Sequence, residues 1–153
     1  MPQAGDIAPD FTVLTDTGDS LTLSALKGRP VVLYFYPKDD TSGCTVEACE
    51  FRDLFPQFDG QQAVILGVSP DPVKSHAKFK AKFELPFTLL ADTEKEIAQA
   101  YDVWKEKSMY GKKYMGVERT TFVINAAGVV ATVFQKVKPA GHAAEVQAAI
   151  NAL

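Results

Sequence analysis

The run Val31-Val32-Leu33-Tyr34-Phe35-Tyr36, closed by Pro37, restricts the fold more than any other stretch of the chain. Its residues are apolar or aromatic without the alternation of a half-exposed strand, which is the pattern of a central strand covered on both faces. Such a strand needs a layer on each side, and the simplest arrangement that supplies both is an α/β sheet. Pro37 carries no N–H for a ladder and ends the strand abruptly.

The rest of the chain fits that frame. Ala63 to Val68 is a second buried-strand run, and Thr88 to Ala91 a short third one. After Thr41 or Ser42, either of which can cap a helix starting near Gly43, Phe51, Leu54, Phe55 and Phe58 recur at helical spacing, with Pro56 implying a kink or a restart. Val73 to Phe83 forms a lysine-rich helix with Phe79 and Phe83 on one stripe and its lysines in water, and Glu94 to Tyr101 another helix. Phe11 to Leu14 and Leu21 to Leu23 flank Asp16-Thr17-Gly18-Asp19 as an N-terminal hairpin, and Ser24 to Lys27 adds a helical turn. Thr120 to Asn125 and Val129 to Phe134 form a hairpin around Ala126-Ala127-Gly128, and Ala143 to Leu153 closes the chain as a helix. This order predicts a mixed central sheet flanked by helices on both faces, preceded by the hairpin. With 153 residues and no repeat or linker, it is read as one domain, 1–153.

Acidic and basic residues number 19 and 16 and are spread along the chain, so no footprint for nucleic acid or an anionic membrane is expected. The start, Met1-Pro2-Gln3-Ala4-Gly5-Asp6, lacks the basic and apolar regions of a signal peptide. No stretch approaches the ~20 apolar residues of a transmembrane helix. The expectation is a cytoplasmic protein whose partner is a small solute or another protein. In a reducing compartment its two cysteines are catalytic, redox-sensing or incidental before they are a structural disulfide.

Cys44 follows the strand end and the loop Pro37-Lys38-Asp39-Asp40-Thr41-Ser42-Gly43, in the first turn of the expected helix. Unpaired N–H groups and the positive end of the helix dipole favour a thiolate there. The carboxyl end of a central strand is also where open α/β sheets place ligands. With Phe51 at the centre of the buried face, Cys44 falls roughly 20° from it and Cys49 roughly 160° away, which points Cys44 into a protected site and Cys49 toward solvent.

Residues five apart in one helix have Cα atoms roughly 8 to 9 Å apart, and a disulfide needs less than about 7 Å. If the two cysteines react with each other, the first turns of the helix must unwind. Two other readings of the residues stand beside this one. Cys44 can be an inert core filler with Cys49 an incidental surface thiol, or the pair can belong to a zinc site. The second is weakened because only His76 and His142 remain as soft ligands, and both read as helix-surface or cap residues.

Pro37-Lys38-Asp39-Asp40-Thr41-Ser42-Gly43-Cys44-Thr45-Val46-Glu47-Ala48-Cys49-Glu50-Phe51-Arg52-Asp53 resembles the peroxiredoxins, in particular their bacterioferritin-comigratory or Q-type group. Gly5-Asp6-Ile7-Ala8-Pro9-Asp10-Phe11 is similar to the opening of that family, and Tyr110 to Ile124, containing Val117-Glu118-Arg119-Thr120-Thr121-Phe122, to its later signature. The resemblance covers essentially the whole chain. It implies a thioredoxin-like fold and a peroxidase, with Cys44 as peroxidatic and Cys49 as resolving cysteine. Pro37, Thr41 and Arg119 would complete the peroxide site. Two features separate the chain from thioredoxin itself: a Cys-x4-Cys spacing, and Thr120 where thioredoxins carry a proline.

The implied cycle runs from a Cys44 thiolate, through sulfenic acid, to a disulfide with Cys49 that thioredoxin or a similar dithiol reduces. No metal, haem, flavin or nucleotide cofactor enters it, and a monomer suffices. Thiolate formation accelerates the reaction only modestly, so the site must also stabilise charge on the departing oxygen. Thr41 can offer its hydroxyl to a peroxide oxygen, Arg119 a fixed donor fork, and the Gly43 and Cys44 N–H groups further donors. Pro37 would shield the thiolate, and Glu47, one turn after Cys44, would either brace Arg119 or merely solvate the helix. A reading from another class is a non-enzymatic redox sensor, which catalytic turnover separates from a peroxidase.

Overall fold

The structure is a computed structural model describing residues 1–153. Its frame is a five-stranded sheet built from β3 (Val31–Phe35), β4 (Val64–Ser69), β5 (Thr88–Ala91), β8 (Thr120–Ile124) and β9 (Val130–Phe134), in the order β5-β4-β3-β8-β9. β3, β4 and β5 run parallel, while β8 pairs antiparallel with both β3 and β9. β3 is therefore central and buried at every residue.

Alternate residues of β3 feed two separate cores. Val32 and Tyr34 pack with Phe51 of α1 (Ser42–Asp53), Phe58 of α2 (Phe55–Gly60), Phe79 of α3 (Val73–Phe83) and Val146 of α5 (His142–Asn151). Val31, Leu33 and Phe35 pack on the other face with Phe122, with Ile97 of α4 (Glu96–Ala100), and with Tyr101 behind it. Gly67 permits the first core to close, since a Cβ there would lie 2.9 Å from both the Tyr34 ring and Leu89. The Tyr34 ring stacks on Phe51 at 4.8 Å, and full burial of a side chain of that size is worth ~2–3 kcal/mol. That contact holds α1 against the sheet.

An N-terminal hairpin of β1 (Thr12–Leu14) and β2 (Ser20–Thr22) leads into a 3-10 turn at Leu23–Leu26. Single bridges, Ile7 to Val129 and Thr15 to Leu90, tie the N-terminal region to the sheet. Pro56 lies in the first turn of α2, so the expected restart after α1 is present. No helix is long and apolar enough to cross a membrane.

Three expectations need correction. A second hairpin, β6 (Trp104–Met109) with β7 (Lys112–Val117), occupies a stretch with no predicted element. Its strands are rich in lysine and mostly exposed, so they lack the apolar alternation by which strands are read. His76 and His142 are not surface residues: they are 0% and 1% exposed, because each ring hydrogen-bonds a group in the interior. Finally, Lys80 of α3 does not simply face water but pairs with the buried Asp16 at 3.1 Å.

Candidate active site

Cys44 is 1% exposed and belongs to the same core as Phe51, as their helical phase predicts. The first backbone bond of α1 runs from the Thr45 N–H to the Thr41 carbonyl at 2.9 Å, so the N–H groups of Gly43 and Cys44 precede the ladder. These donors lie at the positive end of the helix, next to the sulfur.

Arg119 reaches this point from the residue just before β8, the antiparallel neighbour of β3. One guanidinium nitrogen, Nη2, donates to Cys44 Sγ at 3.0 Å, and the other, Nη1, donates to Glu47 Oε1 at 3.2 Å. Gly43 makes room for this fork: a Cβ there would lie 2.9 Å from Arg119 Nη2. Glu47 lies one helical turn beyond Cys44 and is 1% exposed. Burial raises its carboxyl from an ordinary 4.5 to about 7, against the opposing pull of the Arg119 charge. Lys107, half-buried on β6, also faces this site: burial and then the Arg119 charge lower its pKa from the ordinary 10.5.

Thr41 occupies the N-cap position of α1, but its side chain does not cap the helix. Its hydroxyl instead donates to the Lys38 carbonyl at 3.0 Å. The hydroxyl proton is thereby committed to Lys38 and not free for the donation to a peroxide oxygen expected from the sequence, while the oxygen's lone pairs remain able to accept a hydrogen bond. Pro37 follows Tyr36 at the end of β3 and is half-buried at the start of the loop. Cys44, Glu47 and Arg119 are thus joined by side-chain bonds, whereas Thr41 and Pro37 flank the cysteine through the loop.

Both cysteines are free, and both lie in the single continuous helix α1. Cys49 is half-buried, less exposed than its helical phase suggests. Its neighbour at i+3, Arg52, stretches to the Phe83 carbonyl of α3 at 2.9 Å, so this side of α1 lies along α3.

Three residues here, Lys107, Asp39 and His76, escaped the sequence reading as functional groups, and for Gly43 only its N–H was foreseen, not the room its missing Cβ leaves for Arg119. Gly43 carried the signal of a glycine beside a reactive cysteine, which can mark a close approach. Lys107 carried none. Asp39 and His76, described below, are 37 positions apart and become partners only through the fold.

A buried thiol at a helix start, beside the carboxyl end of a central parallel strand and under an arginine fork, defines a thiol-based oxidoreductase on a thioredoxin-like frame. The chain belongs to the AhpC/TSA family, which matches residues 4–133, and within it to the Bcp or Q-type peroxiredoxins, which are thiol peroxidases. It is 53% identical over 144 residues to a putative peroxiredoxin bcp of Coxiella burnetii, covering 94% of this chain and 95% of that one. It is 51% identical to peroxiredoxin Bcp of Bacillus subtilis, over 94% and 91% of the two chains. Among solved structures, the Xanthomonas campestris bacterioferritin comigratory protein, studied for alkyl peroxide reduction, superposes with a TM-score of 0.89 at 46% identity, over 93% and 90% of the chains. A Xylella fastidiosa PrxQ mutant superposes with a TM-score of 0.93 at 38% identity, over 99% and 97%.

Proposed function

We propose that Cys44 is the peroxidatic and Cys49 the resolving cysteine of a cycle completed within one chain. The observation that carries this reading is the 3.0 Å bond from Arg119 Nη2 to the buried Cys44 Sγ, which puts a permanent positive charge where the peroxide oxygens must sit. The thiolate attacks one oxygen of hydrogen peroxide or an alkyl hydroperoxide, and the O–O bond breaks. The departing oxygen takes a proton to leave as water or alcohol, and Cys44 is left as sulfenic acid. Arg119 and the free N–H groups of Gly43 and Cys44 stabilise the charge on the departing oxygen, Thr41 orients the peroxide, Pro37 excludes water, and Glu47 holds Arg119. Alkyl peroxides are included because of the activity described for the Xanthomonas relative.

Cys49 then displaces water from the sulfenic acid to give the Cys44–Cys49 disulfide. Thioredoxin or a similar dithiol reduces that bond by exchange. The chain works as a monomer, because both cysteines lie on one helix and resolution needs no second subunit. Its place is the cytoplasm, where such a dithiol is maintained.

One equivalent of peroxide followed by mass spectrometry tests the cycle. The expected product is an intramolecular Cys44–Cys49 bond. Cys44→Ser should not react, and Cys49→Ser should stop at sulfenic acid after one turnover. An intermolecular disulfide, or oxidation of Cys49 in Cys44→Ser at the wild-type rate, overturns the assignment.

A further inference from the structure

The loop that delivers Cys44 is held by a buried cluster with no part in the steps above. Asp39 is 8% exposed, and its carboxylate accepts from the Tyr36 hydroxyl at 2.6 Å, the Ser75 hydroxyl at 2.7 Å and His76 Nδ1 at 2.8 Å. Its own N–H donates to Asp71 at 2.8 Å, and Asp71 also accepts from the Ser69 hydroxyl. The other ring nitrogen of His76, Nε2, lies 2.9 Å from the Leu90 carbonyl of β5. A carbonyl only accepts, so Nε2 donates to Leu90, and the ring is fixed with Nδ1 against the Asp39 carboxylate. One residue of the cysteine loop is thereby bonded to Tyr36 just after β3, to the β4–α3 connection and to two positions on α3.

The next residue, Asp40, has a positive φ of 57°, which turns the chain away from the cluster toward Thr41 and α1. On the far side of the reactive cysteines, Glu50 accepts from the Gly141 N–H at 3.0 Å, and Arg52 holds the Phe83 carbonyl. The stretch from Asp40 to Cys49 therefore lies between two fixed points. It is also the stretch that must unwind if Cys44 is to reach Cys49.

We propose that Asp39 and His76 are positioning residues: together they anchor the upstream end of the cysteine loop, hold Cys44 under Arg119, and set how readily the start of α1 unwinds. This rests on the assignment of Cys44 and Cys49 above. The anchor decides between two fates of the sulfenic acid. In the unwound state Cys44–SOH and Cys49–SH give the disulfide and water. In the folded state a second peroxide oxidises Cys44–SOH to sulfinic acid and is itself reduced to water or alcohol. Any loss of anchoring raises the unwound fraction and multiplies the disulfide step directly.

The cluster also supplies its own control. In Asp39→Asn the amide oxygen can still accept from Tyr36, and the amide N–H₂ can donate to a His76 that is neutral at Nδ1 and still bonded to Leu90. Positioning survives that exchange, whereas any role for the Asp39 charge does not. Asp39→Ala and His76→Phe remove the anchor outright, and Ser75→Ala removes one of its donors.

The experiment titrates reduced protein with excess peroxide and counts Cys44 sulfinic acid against Cys44–Cys49 disulfide by mass spectrometry, alongside the initial rate of Cys44 oxidation. Loss of a buried charged hydrogen bond shifts the ratio by about tenfold or more. Asp39→Ala and His76→Phe should therefore give less sulfinic acid per disulfide by that factor, with a smaller fall in the peroxide rate. Asp39→Asn should stay within about threefold of wild type, and Ser75→Ala should move the ratio the same way by less than Asp39→Ala. Val130→Ala, which loosens the edge strand β9 in the core on the opposite face of the sheet from Cys44, should leave the ratio in place. Where Asp39→Ala fails to fold, the ordering of Ser75→Ala and Asp39→Asn decides. The proposal is overturned if Asp39→Asn shifts the ratio as much as Asp39→Ala, if Ser75→Ala leaves it unmoved, or if Val130→Ala shifts it equally. A wild-type protein in which Cys44 does not react refutes the underlying assignment instead.

Discussion

Replacing Glu47 by glutamine isolates what it takes to keep a carboxylate under the sulfur. The side chain is 1% exposed, and its one hydrogen bond is to Arg119 Nη1 at 3.2 Å. Desolvation outweighs the attraction of Arg119 and raises the carboxyl from 4.5 to about 7. Between those two values the unfolded chain releases the Glu47 proton while the folded chain keeps it. The stability carried by the protonated carboxyl is fully present below about 4.5 and is lost as pH rises through about 7. The full rise corresponds to about 3 kcal/mol against the ionised form.

Glutamine has the same shape and keeps an oxygen for Arg119, but it never ionises. Glu47→Gln should match the wild type near pH 4.5 and exceed it by about 3 kcal/mol above pH 8. Denaturant unfolding of both reduced proteins at steps across that range measures the difference, and titrations common to the two cancel in it. A difference that does not change with pH, or a variant less stable than wild type at pH 8, refutes the reasoning. The same exchange replaces a charge-assisted bond with a neutral one, so Arg119 is held less firmly and peroxide consumption should fall about tenfold.

Gly43→Ala should drive Arg119 Nη2 off Cys44, since its Cβ would lie 2.9 Å from that nitrogen. The obstacle is the end of a flexible side chain and alanine favours the helix, so stability should hold or rise by up to ~1 kcal/mol while the peroxide rate falls about tenfold; unchanged activity in stopped-flow peroxide assays would remove Gly43 from the site. Tyr34 is 1% exposed and its hydroxyl has no hydrogen-bond partner. Tyr34→Phe should therefore fold normally and gain ~1 kcal/mol in thermal or denaturant unfolding, and a loss of that size would mean the phenol is satisfied after all.

The parts legible in the sequence were those written in local pattern. The unbroken apolar run of β3, the helical phase of Cys44 and Phe51, and the turn residues of the N-terminal hairpin each act over a few positions, and the structure follows them. Arg119 became legible through family resemblance, and its pairing with Glu47 only as one of two alternatives, because a separation of 72 positions leaves no local trace. The histidines were misread for the same reason. His76 sits in a helix full of lysines and looks like one more solvated residue until Asp39 and Leu90 are brought to its two nitrogens. The β6–β7 hairpin failed differently: its exposed faces carry lysines, tyrosines and methionines without the apolar alternation of a core strand, and cross-strand pairing alone defines it.

On the proposed assignment, a resolving cysteine five residues along the same helix imposes a demand on α1 that its packing partly resists. Phe51 and Ala48 are buried and hold the middle of the helix to the sheet, so the turns carrying Cys44 must yield first. Those turns lack a usual support. Thr41 sits at the N-cap yet bonds Lys38, forgoing a cap worth ~1 kcal/mol, and no acidic residue lies in the first turn to meet the dipole. What holds the start of α1 is then the Arg119 fork on Cys44 and Glu47 together with the loop behind it. In the proposed cycle Cys44 becomes sulfenic acid, which alters the sulfur that accepts from Arg119 and weakens one of those supports as resolution becomes due. In that cycle, a helix start that is weakly capped but clamped through the sulfur of Cys44 would release in step with its own chemistry.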